Sequence, residues 1–269
     1  GDVYKRQPYS PIIKTTYVDK QNNLWIKSQR SFIKMFFPPS PYTYRELDNY
    51  FDTKSFLFDS DEHLWIATKK GIIRIMDSQK NLLGYLSPDG ELAQTETVFA
   101  EGGIYVMLKD QAQTIWLGSK ENGLFRLVPR NRPYHYEVYH YMNNPSDPYS
   151  ISDNKISCID EDHNGRIWIG TYGGRLNLVE EKEDGAIRFI HAENNLSGFP
   201  INRTNSIRCM VEGPGHTMLV GTIEGLITFS SDFSDYENIR FYLNLPRPQA
   251  TDGLCSADAV SYTHLRAHE

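Results

Sequence analysis

DHNGRIWIGTYGGRL, residues 162–176, holds a short strand-forming run, RIWIGT, set between two glycine turns, with a further apolar alternation beginning at its end. The same grammar returns four more times. It reads NLWIKSQRSF at 23–32, HLWIATKKGI at 63–72, TIWLGSKENGLF at 114–125 and TMLVGTIEGLI at 217–227. All four tryptophans of the chain, Trp25, Trp65, Trp116 and Trp168, fall in one column of this repeat, and Leu219 takes the fifth place. Their separations are 40, 51, 52 and 51 residues. A fixed period of about 40–50 residues with strand-like chemistry is the mark of a blade repeat, one small sheet per period.

Working outward from 162–176 gives the layout of one period. ISCIDED (156–162) alternates as a strand does, and HNG (163–165) is a turn in which Gly165 can take a positive φ. RIWIGT is the second strand, YGG a second turn, RLNLV the third strand, and AIRFIHAEN (186–194) supplies a fourth. Four antiparallel strands and a longer connection to the next copy describe a propeller blade. The fold expected is therefore all-β, a β-propeller fragment of about five four-stranded blades. The blades are expected near 12–50, 54–100, 104–151, 154–204 and 205–248. At ~50 residues each, about 250 residues cannot complete a seven-bladed ring, so an incomplete ring is expected.

The constant positions have physical reasons. Asp19, Asp59, Asp110 and Asp162 each precede the tryptophan column by six residues, where a carboxylate can accept backbone N–H bonds and nucleate the turn; the fifth copy has Gly213 there. Tryptophan is large enough to fill the gap between adjacent blades. Small residues two places later, Ala67, Gly118, Gly170 and Gly221, let neighbouring sheets approach, and Lys27 breaks that rule in the first copy. Columns present in nearly every copy belong to the scaffold, because a binding site draws on a few blades and not on all of them.

The string D-x-x-G-x-(L/I)-W-(I/L)-G-T-x-x-G-G-L, closest in 162–176, resembles the two-component regulator propeller repeat. The loop NNPSDPYSISDNKI (143–156) strengthens the likeness, which covers about 15–245. The resemblance implies the periplasmic sensor region of a hybrid two-component system of Bacteroidetes-type bacteria. In such sensors two propellers and a small β-sandwich precede one membrane helix and a histidine kinase. It further implies recognition of an oligosaccharide, with the rest of the sensor chain and a homodimer partner as protein contacts, and no kinase activity in this stretch itself. Two other classes compete with a sensor. A propeller enzyme, a lyase or glycan-active protein, would need clustered acid and base residues in the central funnel. A protein-docking propeller would show an exposed apolar patch.

Composition narrows the classes. A net charge of −6 and a pI near 5.8 argue against nucleic acid as partner. No apolar run approaches the ~18 residues of a membrane helix, so no membrane contact is expected of this stretch. Residues 1–7 (GDVYKRQ) and 260–269 resemble translated sequencing adapter, since 260–265 (VSYTHL) can be encoded on the strand opposite to 1–7. No nucleotide loop, H-E-x-x-H, C-x-x-C or G-x-S-x-G occurs, so no catalytic, cofactor-binding or metal residue is assigned. The eight histidines look scattered, and His135 and His140 fall on opposite faces of a strand. Glu180, Glu181, Glu183 and Asp184 read as a solvated turn, and Cys158 and Cys209 as small core residues.

Blade topology says where a ligand would be sought. The turn between strands two and three and the connection between blades emerge on one face, and the turns between strands one and two on the other. Four of the five former turns carry Lys or Arg in an acidic chain. Arg30, Lys70, Tyr172, Arg175 and Arg203 are therefore expected on one face as ligand-binding residues, the arginines gripping an anionic sugar and Tyr172 stacking on it.

Overall fold

The computed structural model describes Ile13–Val18, Lys20, Leu24–Ser28, Phe32–Met35 and residues 52–244 except Gly174, Thr204 and Asn205. The chain divides into two compact units, Gly1–Asn49 and Tyr50–Glu269. In the first, β1 (Ile13–Val18), β2 (Leu24–Ser28) and β3 (Phe32–Met35) form a three-stranded antiparallel sheet in sequential order. Tyr17 pairs with Trp25 across its first hairpin.

Among the described residues the second unit holds four sheets, each a meander. One comprises β4 (Thr53–Phe58), β5 (Leu64–Thr68), β6 (Ile73–Met76), β7 (Leu82–Leu86) and the two-residue β8 (Leu92–Ala93). The next is β9 (Ile104–Lys109), β10 (Ile115–Ser119), β11 (Leu124–Pro129) and β12 (Tyr136–Tyr141). Then come β13 (Ile156–Glu161), β14 (Ile167–Thr171), β15 (Leu176–Glu181) and β16 (Ile187–Ile190). The last is β17 (Ile207–Gly213), β18 (Thr217–Thr222), β19 (Leu226–Ser230) and β20 (Tyr242–Asn244). The first strands of successive sheets, β4, β9, β13 and β17, lie next to one another in that order. These four sheets are propeller blades. The fourth strand of the β13–β16 blade stops at Ile190 and not at residue 194 as expected, because His191 to Asn194 close a turn: the Asn194 N–H donates to the His191 carbonyl at 3.1 Å.

Alternation along the second strands builds the core between blades. All five residues of β14 are buried. Ile167 and Ile169 pack with Trp116, Ile156 and Phe189 toward the preceding blade, while Trp168 packs with Met218, Val220 and Phe229 toward the following one. Trp65 does the same between the first two blades of this unit. A strand buried on both faces reads as a continuous apolar run, which is why IWIGT lacks a polar alternate. The small column is needed at the same place. A Cβ on Gly170 would stand 2.5 Å from Ile207 Cγ2 of the next blade, and one on Gly118 would stand 2.5 Å from Ile156 Cγ2.

The aspartate and tryptophan columns turn out to be one device. Asp162 Oδ1 accepts the Asn164 and Arg166 backbone N–H groups at 3.0 and 3.1 Å, and its Oδ2 accepts the Trp168 indole N–H at 3.0 Å. Asp110 accepts the Thr114 N–H and the Trp116 indole at 2.8 Å each; Asp59 accepts Asp61, His63 and the Trp65 indole at 3.0, 2.9 and 3.1 Å. A buried indole N–H needs an acceptor, and the turn carboxylate supplies it. In the last blade both partners are gone together, as Gly213 and Leu219, so no donor is stranded.

His191, at the end of β16, is buried, and burial holds its imidazole pKa below the usual value. The unfolded chain then binds the extra proton first. The stability associated with neutral His191 is present above about pH 6.5 and is lost as pH falls from there through the lower native value, at no more than about 1.4 kcal/mol per pH unit. Melting curves should shift down between pH 6.5 and 5, and His191→Gln should flatten that shift; an unchanged shift would remove His191 as its cause.

Candidate functional site

Hydrogen bonds place the turns between second and third strands beside the connections that enter each blade. Lys69 N–H donates to the Asp52 carbonyl (2.8 Å), Lys120 to Gly103 (3.3 Å), Tyr172 to Lys155 (2.9 Å) and Ile223 to Ser206 (3.1 Å). Connections between blades join the same layer, since Phe99 N–H donates to Gly71 O at 2.8 Å and Gly123 N–H to Asn154 O at 2.9 Å.

Tyr172 and Arg175 share the β14–β15 turn, whereas Lys70 stands exposed in the β5–β6 turn, two blades away. Arg203 ends a 3-10 turn, Ile201–Arg203, in the connection to β17, and its side chain lies outside the described residues, as does the whole of Arg30. The Tyr172 ring is half-buried and carries the Arg208 guanidinium 5.1 Å from its centroid. Arg208 projects from β17 of the next blade; nothing in the repeat pattern singles it out. Arg175 Nη2 donates to Glu193 Oε1 at 2.6 Å, and its Nε is buried without an acceptor. Asp153 lies at the same spot, its Oδ2 2.5 Å from where a Cβ on Gly173 would be. Carboxylates thus stand beside Arg175 on this face.

The opposite face, made by the turns between first and second strands, departs from the expectation of scattered histidines. His163 from the β13–β14 turn meets Glu212, near the end of β17, and His216 from the β17–β18 turn. His163 Nδ1 and Glu212 Oε1 are 2.7 Å apart, and the two imidazoles stack at 3.7 Å between centroids. The hydrogen bond to Glu212 holds the His163 pKa above its usual value. The Glu212 carboxyl is held below the usual carboxylate range by hydrogen bonds from Ser231 and His163, against the effect of its burial. Asp59, Asp61 and His63 form a second group of this kind. The acidic turn Glu180–Asp184 lines only a shallow depression, with Arg188 on Glu180.

Residues 150–173 match the family model described as two component regulator propeller. Among curated proteins, histidine kinase P4 of Formosa agariphila is 26% identical over 139 residues, 48% of this chain and 9% of that protein. Among solved structures, the extracellular domain of a hybrid two component system from B. thetaiotaomicron superposes with a TM-score of 0.52 at 21% identity. That match covers 90% of this chain and 29% of the other. A second such domain from the same organism gives 0.55 at 16% identity over 91% and 34%. Virginiamycin B lyase from Staphylococcus aureus gives 0.50 at 14% identity, covering 77% and 59%. At these identities the structural matches show the fold, and the chain spans about a third of the sensor domains and a tenth of the kinase.

Proposed function

We propose that this chain is part of the ligand-sensing propeller of a membrane-bound hybrid two-component sensor, located in the periplasm, and that it recognises an oligosaccharide on the face of the second-to-third-strand turns. The observation that carries the reading is the surface formed by Tyr172, Arg175 and Arg208 where two blades meet, a half-buried phenol ring with a guanidinium 5.1 Å from its centroid and another in the same turn. An aromatic face packs on the C–H side of a sugar ring, and guanidinium groups bind carboxylate or sulfate in bidentate fashion. The repeat match at 150–173, which includes Tyr172, and the likeness to sensor domains support the sensing role. Ligand would shift a homodimer between two arrangements and so bias a kinase encoded in the rest of the sensor chain.

An anionic sugar has to replace Glu193 as the partner of Arg175, so charge dominates the expected effect. Arg175→Ala should weaken binding of a uronic-acid oligosaccharide to the full chain by one to two decades, matching a charge-assisted hydrogen bond of about 1.5–3 kcal/mol. The melting temperature should stay near the parent's, because the Arg175–Glu193 pair is partly exposed. Added salt should weaken the parent's binding as well. Calorimetry showing salt-independent binding, indifferent to Arg175→Ala and Tyr172→Ala, would overturn the proposal.

A further inference from the structure

We infer that His163, Glu212 and His216 form a binding site for a divalent transition metal ion of the zinc class, bridging two adjacent blades on the face opposite the sugar-binding surface. His163 comes from the β13–β14 turn, Glu212 from the end of β17 and His216 from the β17–β18 turn, yet one ligand atom of each lies within 4.8 Å of the others. Both imidazoles address the same oxygen: Glu212 Oε1 is 2.7 Å from His163 Nδ1 and 3.9 Å from His216 Nδ1. Around a tetrahedral ion with bonds of about 2.0–2.2 Å, neighbouring ligand atoms stand about 3.3 Å apart. The two distances bracket that value, so opposite shifts of about 0.6 Å bring both ring nitrogens to it. Two imidazoles and one carboxylate, with water in the fourth position, are a donor set that zinc takes.

The surroundings hold these ligands as the outer partners of metal sites do. His163 Nε2, the nitrogen turned away from Glu212, lies 3.0 Å from Asp232 Oδ1, which gives the carboxylate–histidine arrangement that fixes the ring's tautomer and direction. Glu212 Oε2 accepts the His163 backbone N–H at 2.7 Å, and the hydroxyl of buried Ser231 donates to Oε1. His216 has φ 53°, in the left-handed region, and its carbonyl accepts the Ser231 N–H at 2.8 Å, which pins the turn that carries the ring. The group Asp59, Asp61 and His63 is not equivalent. Both oxygens of Asp59 are already engaged by two backbone N–H groups and the Trp65 indole, the turn-and-tryptophan bond repeated at Asp110–Trp116 and Asp162–Trp168. Glu212 stands outside that repeated pattern.

The test is titration of the full chain with Zn2+ by calorimetry, and with Co2+ by visible absorption, whose intensity reports four-coordinate geometry. One ion per chain is expected, with a four-coordinate Co2+ spectrum. His216→Asn, which tolerates the left-handed backbone, and Glu212→Gln should each weaken Zn2+ at least tenfold while leaving the metal-free circular dichroism unchanged. Asp232→Asn should weaken it about tenfold. Should a variant unfold, nitrogen NMR of the parent decides, with Zn2+ expected to shift the Nδ1 resonances of His163 and His216. Absence of saturable binding would overturn the inference. So would affinity unchanged by His216→Asn, or affinity abolished instead by the double change His264→Ala and His268→Ala near the carboxyl end.

Discussion

Trp168→Ala is expected to lower the unfolding free energy by about 3–5 kcal/mol, the range for deleting a large buried aromatic. The side chain has no exposed surface. Its ring meets Phe229 edge-on at 4.9 Å and Phe233 at 6.0 Å, both from the next blade, so the cavity left behind is shared by two sheets and cannot be closed by moving one. The loss should be the same with and without oligosaccharide, as measured by urea unfolding of the full chain followed by circular dichroism. Intact stability combined with lost sugar binding would make the tryptophan column a binding platform and not a scaffold.

Asp162→Ala should cost a comparable amount, about 3–5 kcal/mol, because it removes a fully buried carboxylate and leaves its hydrogen-bond donors and the half-buried Arg166 without it. The carboxylate is fully buried and accepts four hydrogen bonds, from two backbone N–H groups, the Trp168 indole and Arg166 Nε, the last at 2.8 Å. Removing it strands the indole N–H and leaves Arg166 facing the Phe233 ring with no counter-charge in the turn. Asp162→Asn keeps an acceptor and should recover part of the loss. Gly213→Asp in the last blade should gain no bond of the indole kind, because the Leu219 side chain carries no N–H donor. A loss below about 1 kcal/mol in Asp162→Ala would show that the turn holds without its carboxylate.

Much of the scaffold was legible because each blade repeats one solution to one packing problem. The second strands at 64–68, 115–119, 167–171 and 217–222 follow directly from the tryptophan and small-residue columns. The bond between the columns was not. Six residues separate donor and acceptor across a turn, and strand periodicity carries no information about how that turn folds back. The simultaneous change to Gly213 and Leu219 was the available hint. The short strand Leu92–Ala93 was equally invisible, since two residues leave no periodicity to read.

Sites between blades are harder still. Arg175 reads as an unpaired turn cation until Glu193, eighteen positions on, is seen to hold it. Arg208 lies on the first strand of another blade, and its approach to Tyr172 depends on how far one blade is rotated from the next. His163 and His216 occupy turns one period apart but not the same register, so a search by repeat position separates them. Period and alternation describe one blade well. They are silent on the offset that brings two blades' side chains together.

The most direct test of the scaffold is a double-mutant cycle between Asp162→Ala and Trp168→Phe, read by urea unfolding of the full chain. Phenylalanine keeps an aromatic ring in the core and removes only the indole N–H and part of the volume. If turn and interblade packing are one device, the second substitution should cost much less once the first is made, with a coupling of about 1.5–3 kcal/mol, the worth of a hydrogen bond to a charged group. Strictly additive losses would contradict it, leaving two independent columns that merely share a period.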